Sequence, residues 1–327
     1  MTQQQLKYVC LITAALALPL VVHSRYWMHV IIMAAMYMLL AFSVDLIYGY
    51  AGQINLGQAG FYAIGAYTTA LLMLRLNLSY WTAMPLAGLT AGLFGLILGI
   101  PTLRLRGLYL GITTMGFSEI VRLVLLCWVD LTRGPMGLPG IPAPTIGSYI
   151  FNGLTPYYYL ILTYLILAII CVRILAHSRV GKAWEAIRED DIAASAMGIN
   201  IAYYKVAAFS IGAAMAGVAG SFFAVYISFV SPDAFKAIES FLIFAMPAVG
   251  GTATVAGPIL GALIIYVLPE ITRAFAMYRM LWVGALMVIV MVVSPKGLVW
   301  ALSSLLARLR RINQPASLEG GTGSGTS

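Results

Sequence analysis

Tyr48-Gly49-Tyr50-Ala51-Gly52-Gln53-Ile54-Asn55-Leu56-Gly57-Gln58-Ala59-Gly60-Phe61 is the stretch on which the reading of this chain turns. It separates two apolar runs, 27–48 and 60–76, yet carries glycine at 49, 52, 57 and 60 and amides at 53, 55 and 58. Runs of about 20 apolar residues read as membrane-spanning helices. Lipid offers no hydrogen bonds, so a polar interruption at membrane depth survives only where it is buried in protein or lines a polar cavity. Discontinuous helices beside a solute path are a known transporter device. The expectation is therefore that Gly52, Gln53, Asn55, Gly57 and Gln58 line a path for a polar solute. A plain turn at the inner membrane surface is the competing reading.

The rest of the chain supports a lipid setting. Hydrophobic residues make up 61% of the 327 residues and charged ones only 9%, far from the balance of a soluble domain. A soluble fold of this size could not hide so much apolar surface. The net charge of +8 is spread between apolar runs, with no basic stripe interleaved with aromatics, so nucleic acid is excluded as a partner. Cys10, Cys127 and Cys171 give no disulfide framework, and His23, His29 and His177 give no metal-ligand spacing.

Windows of spanning length predict an all-α bundle of about ten spans: 6–22, 27–48, 60–76, 80–100, 108–129, 156–175, 205–228, 237–250, 255–271 and 279–294. The first span follows Lys7 and imitates a signal peptide, but a second span comes at once, so it reads as an uncleaved anchor. Lys and Arg favour the side holding both termini by roughly two to one, which predicts cytoplasmic ends. Residues 1–312 form the membrane domain. The 313–327 tail, ending Gly320-Gly321-Thr322-Gly323-Ser324-Gly325-Thr326-Ser327, reads as a flexible linker outside the fold.

A second Gly-rich break, Val249 to Pro258, joins two short apolar spans and is polar only through Thr252 and Thr254. Paired interruptions point towards a path formed between them, which adds Thr252 to the candidates. Glycines four apart at 88/92, 95/99, 107/111 and 257/261 read as close helix-packing faces.

Two loops stand out. The outer one, about 130–155, is too rich in Pro and Gly for regular helix. The inner one, 176–204, holds Glu185, Glu189, Asp190 and Asp191. Val180 to Glu189 is helix-permissive. Asp190 or Asp191 then caps a short amphipathic helix that ends at Gly198, with Ile192 and Met197 as apolar anchors. This element reads as a dock for a partner protein, with lying on the membrane surface as the rival. Within the spans, Asp45 is an ionisable candidate, and Glu119 and Arg122 are spaced to pair on one helix face. No phosphate-binding G-x-x-x-x-G-K-[ST] loop, nucleophile elbow or metal-ligand helix occurs.

At these segments the chain resembles the LivM-type permeases of branched-chain amino acid ABC importers. The resemblance runs from about 30 to 300. It is strongest at Gly49–Gln53 through Gly65-Ala66-Tyr67, Leu103–Gly107, Thr132–Pro142, Ala186–Asp190 with Gly198-Ile199-Asn200, and Ser294–Leu298. It implies a multi-pass permease of the bacterial inner membrane that pairs with a sister permease, two cytoplasmic ATPases and a periplasmic solute-binding protein. ATP and Mg would be held by those partner ATPases, with no cofactor and no enzymatic activity in this chain. Glu185, Ala186 and Gly198 would then belong to the EAA-type coupling loop of importers. Asn55 and Gln58 stand where such permeases often have Ser and His, and Thr252-Ala253-Thr254 replaces a more usual Met-Gly-Ser. The solute is therefore expected to be a branched-chain amino acid or a similar small polar molecule such as urea or a short amide. An ion-coupled secondary transporter is the alternative. It would need more ionisable groups in the membrane and would have no use for the inner loop.

Overall fold

The computed structural model describes residues 24–147 and 149–271, with isolated positions 16, 18, 19, 22, 281, 284, 285, 288 and 297–300. The expected first and last spans fall almost wholly outside the described residues, and the 313–327 tail does so entirely.

The described chain is a helical bundle. Helix α1 (Arg25–Asp45) runs into a π-helical turn at Leu46–Tyr50. Then follow α2 (Gln58–Arg75), α3 (Tyr80–Thr102) and α4 (Leu108–Cys127). The loop at 130–155 contains the short helix α5 (Val129–Thr132), a 3-10 turn at Gly134–Met136, and the strands β1 (Leu138–Pro139), β2 (Thr145–Ile146) and β3 (Tyr149–Ile150). Helix α6 spans Leu154–His177. The inner loop forms α7 (Arg179–Glu189) and α8 (Asp191–Ala196) before α9 (Ile201–Ile227). Strand β4 (Phe229–Val230) pairs antiparallel with β1, and β2 pairs with β3. Helices α10 (Ala237–Gly250) and α11 (Ala256–Ala262) follow, and α11 continues through a second π-helical turn into α12 (Leu268–Ile271).

Among the described residues, five helical stretches are long and apolar enough to cross a membrane: 25–50, 80–102, 108–127, 154–177 and 201–227. Helix α1 is the most enclosed of them and α4 the least. Helix α9 lies chiefly against α3 and α2, α1 against α6, and α10 against α11. The seam between α3 and α9 shows why glycine recurs. Gly88, Gly92, Gly95 and Gly99 all face α9, and a methyl group on Gly95 would sit 2.6 Å from the Ala213 Cβ and 2.8 Å from the Phe209 carbonyl. In lipid, where apolar burial between helices gains little, such close approach supplies the packing energy. Gly257 and Gly261 serve α10 and α11 in the same way. Gly107 does not pair with Gly111 as its spacing suggests. It has open space around it and a left-handed φ of +56°, so it makes the turn into α4 rather than a packing face.

The loop at 130–155 is held by side chains reaching its carbonyls. Arg75 donates to Asp130 and Leu131, and the Trp81 indole donates to Thr145 at 2.8 Å.

Candidate functional site

Between α1 and α2, residues 51–57 leave the helix. The polar groups freed there are satisfied by side chains from several helices. Asn55 accepts from the Gly57 amide at 2.9 Å and donates to Gln58 Oε1 at 2.7 Å. Gln58 Nε2 donates to Ser43 Oγ at 2.7 Å and to the Gly212 carbonyl at 3.2 Å. The Leu56 amide donates to Thr114 Oγ1 and the Ala59 amide to Ser240 Oγ, both at 2.9 Å. Helices α1, α4, α9 and α10 thus each contribute one group. Asn55 and Gln58 are both 0% exposed, and in this conformation their amides are committed to this frame. Gly57 is buried too, pressed against the Thr114 backbone. Of the expected path residues in this segment, Gly52 is exposed and Gln53 is buried, donating to the Lys205 carbonyl at 3.2 Å.

The segment between α10 and α11 comes to the same place. Asp45, at the end of α1 and fully buried, accepts the Ala253 amide on Oδ1 at 2.9 Å. Its Oδ2 has no partner among the described residues. A methyl group on Gly49 would meet Asp45 and lie 2.7 Å from the Ala253 nitrogen, so only glycine lets the two interruptions touch here. Thr254 Oγ1 accepts from the Gly257 amide at 3.0 Å, which ties the second turn to the start of α11, and Thr252 is half-buried beside it.

The loop at 176–204 lies directly on this junction. Ser178 caps α7, and Trp184 and Ile187 are buried beneath it. The Trp184 indole donates to the Tyr204 carbonyl at 2.8 Å. Asp190 caps α8, accepting from the Ile192 and Ala193 amides at 2.8 and 3.1 Å. Gly198 stands just past its end with φ +82°. On the outward side, Ile192 is 70% and Met197 84% exposed, and Glu185 is exposed while Ala186 is half-buried. Asp191, read from the sequence as part of the docking surface, points the other way. Its Oδ2 lies 3.3 Å from Lys205 Nζ at the start of α9 and 3.1 Å from Arg106 in the turn before α4. Arg188 donates to the Gly49 carbonyl and covers Gly52, where a Cβ would sit 2.7 Å from the Arg188 Cγ. A cleft of about 300 Å³ remains between the break at 51–53, the turn at 105–107 and the loop at 187–191.

Glu119 and Arg122 form a bidentate pair on α4, with contacts of 2.5, 2.9 and 3.0 Å. Cys127 and Cys171 are free and exposed. Among the described residues no cluster of three or more His, Cys, Asp or Glu side chains could hold a metal ion.

Sequence reading gave no role to Arg188, Arg106 and Lys205, because a charge's place in the chain carries no signal of what it will meet in the fold. It also missed Ser43, Thr114 and Ser240. Isolated hydroxyls inside apolar runs were the available sign of them.

A glycine-packed apolar bundle with a buried polar junction inside and a capped loop packed against it is the architecture of a helical membrane protein. The chain belongs to the family described as branched-chain amino acid transport system / permease component, whose model matches residues 26–294. It is similar to the high-affinity branched-chain amino acid transport system permease protein LivM of Salmonella typhimurium and to its counterpart in Escherichia coli. Each is 39% identical over 319 residues, covering 90% of this chain and 75% of the relative. It is also similar to the permease protein LivH of Salmonella typhimurium, 27% identical over 290 residues, covering 80% of this chain and 90% of that one. No solved structure gives a significant match.

Proposed function

We propose that this chain is one of two permease subunits of an ATP-driven importer carrying branched-chain amino acids, or similar small polar solutes such as urea and short amides, into the cytoplasm. Similarity to both LivM and LivH supports a pair of related permeases. In this reading the chain makes about ten passes of the bacterial inner membrane, with both termini and residues 176–204 in the cytoplasm. Two cytoplasmic ATPases hold ATP and Mg, and a periplasmic binding protein delivers the solute.

The observation that carries the reading is the contact between the inner loop and the helix break. Arg188 reaches the Gly49 carbonyl while Ile192 and Met197 face outwards, uncovered by the described residues. A motor subunit gripping α8 would move α7 with it, and Arg188 would pass that movement to Gly49–Gly52 and so to the path. Gly52, Gln53 and Thr252 are the wall that such movement would open. Asn55, Gly57 and Gln58 form the frame that keeps the wall in register. Glu185, Ala186, Ile192, Met197 and Gly198 form the docking face, and Asp191 acts as the pivot pinned to Arg106 and Lys205.

The test is uptake of labelled leucine, urea and acetamide into proteoliposomes holding the co-purified assembly, with ATP inside and the proton gradient collapsed. ATP-dependent uptake that survives collapse is the expected result. Uptake that ignores ATP and dies with the gradient would establish the ion-coupled alternative instead.

A further inference from the structure

We propose that Asp45 is a positioning residue for transport, the second acceptor that Arg188 takes when the loop at 176–204 is driven towards the bundle. In that step the guanidinium leaves the Gly49 carbonyl and closes an ion pair with Asp45 Oδ2. The inference rests on the permease reading and adds the residue that receives the loop's movement. Asp45 is 0% exposed and lies in the helical stretch 25–50, long and apolar enough to cross a membrane. Its Oδ1 accepts the Ala253 amide at 2.9 Å, and its Oδ2 has no partner among the described residues. A buried polar atom left without a hydrogen bond is costly, and ionisable side chains inside a span characteristically serve function. The junction with Ala253 needs only a neutral acceptor, so it does not account for a carboxylate here.

Arg188 is the cation whose charge acts on this carboxylate, and the two already share Gly49. Arg188 donates to the Gly49 carbonyl, while a Cβ on Gly49 would overlap Asp45 Oδ1. Glycine therefore puts no side chain of its own beside the carboxylate. Asp45 stands four residues before Gly49, about one helical turn or roughly 5.4 Å along the axis. A one-turn step of one element past another is a known form of switching. At rest the loop is held back by Asp191, which pins the start of α8 to Lys205 and Arg106, and by the Arg188 stem seated on Gly52. A guanidinium bonds a carboxylate roughly twice as strongly as a neutral acceptor, so a push on the loop would end in a firmer contact than the one it breaks. Because Oδ1 keeps the Ala253 amide, a pair made on Oδ2 would join the loop to both interruptions through one carboxylate.

The experiment uses the complete importer in proteoliposomes and reads leucine moved per ATP hydrolysed. Arg188→Gln keeps an N–H donor for the Gly49 carbonyl but loses the charge, whereas Arg188→Lys keeps the charge. The glutamine variant is expected to lose about tenfold or more, the scale of one charge-assisted hydrogen bond, and the lysine variant to retain part. Equal ratios in the two would show that charge is not used and would overturn the proposal. Asp45→Asn keeps the acceptor for Ala253, so its thermal transition in detergent should hardly move while its ratio falls by about tenfold. A normal ratio in Asp45→Asn overturns the proposal, because a neutral side chain would then suffice. Asp45→Asn combined with Arg188→Gln should transport no worse than either alone, since both remove the same contact. A multiplied loss, about a hundredfold, would mean that the two residues act separately and would overturn it too. Arg188 lies outside the buried junction, so the comparison of its two variants decides the matter even where Asp45→Asn assembles poorly. Absence of ATP-driven uptake in the unmodified importer is a different failure, that of the permease reading and of this proposal with it.

Discussion

The guanidinium of Arg188, at the end of the inner loop's first helix, donates to the carbonyl of Gly49, where α1 gives way to the break. The π-helical turn at Leu46–Tyr50 displaces carbonyls from the regular ladder, and Arg188 takes up one of them. A hydrogen bond from a charged donor is worth about 1.5–3 kcal/mol, enough to carry movement between two elements without locking them. Arg188→Ala is expected to leave ATPase association and ATP hydrolysis intact while uptake falls by about tenfold or more. Arg188→Lys should recover part of it. The ratio of solute moved to ATP hydrolysed is the measurement, and an unchanged ratio in Arg188→Ala would show that the loop drives the path elsewhere.

Asp45 joins the two interruptions through one hydrogen bond to Ala253. Asp45→Asn keeps an acceptor oxygen in the same place, so the junction should hold. Asp45→Leu leaves the Ala253 amide without its partner, and a buried unsatisfied donor costs about 1–3 kcal/mol. The expected outcome is a lower thermal transition in detergent for the leucine variant and a nearly unchanged one for the asparagine variant. Equal transitions in both would mean the two segments are held together by packing alone.

What could be read in the sequence was what depends on local composition. The apolar windows between 27 and 271 coincide with helices α1 to α4, α6 and α9 to α12, because length and hydropathy alone decide them. The caps at Asp190 and Gly198 were legible because one side chain and one φ suffice to stop a helix. Pairings set by the tertiary fold were not legible. Asn55 and Gln58 read from the sequence as path residues, and their hydrogen bonds to each other, to Ser43 and to Gly212 depend on helices distant in sequence. Asp191 looks like a surface charge until Arg106 and Lys205 arrive from either side. Gly107 matches the spacing of a packing glycine and is a turn instead.

The frame and the wall should respond differently to the same kind of substitution. Gln58→Leu removes donors to Ser43 and Gly212 and the acceptor for Asn55 in a fully buried site, so it should reduce the amount of folded protein. Gln53→Leu loses one bond to the Lys205 carbonyl at the edge of the inner cleft, so it should fold normally and transport poorly. Monodispersity in detergent, measured beside uptake, separates the two. Normal folding of Gln58→Leu would argue that its amide is free to serve the solute after all.

The exposed helix α8 provides the sharpest test of coupling, because its two sides have separable roles. Its inward side is fixed by Asp191 to Lys205 and Arg106. Its outward side offers Ile192 and Met197, which contribute little to this chain's own core at 70% and 84% exposed. Helix-in-groove docking relies on a few apolar anchors of this kind. Truncating a well-buried anchor at such an interface commonly costs about 2 kcal/mol or more, close to thirtyfold in affinity. Met197→Asp should therefore leave the membrane bundle as stable as before and weaken association with the ATPase. Gly198 acts through the backbone: at φ +82° a β-branched residue is strained. Nothing lies within 4 Å of where its Cβ would be, so any effect of Gly198→Val comes from redirecting the chain after α8 rather than from a clash. That variant should retain ATPase binding in part and lose uptake more severely than binding. Full association and full uptake in both variants would show α8 to be a solvated connection, and would leave Arg188 without a motor to answer to.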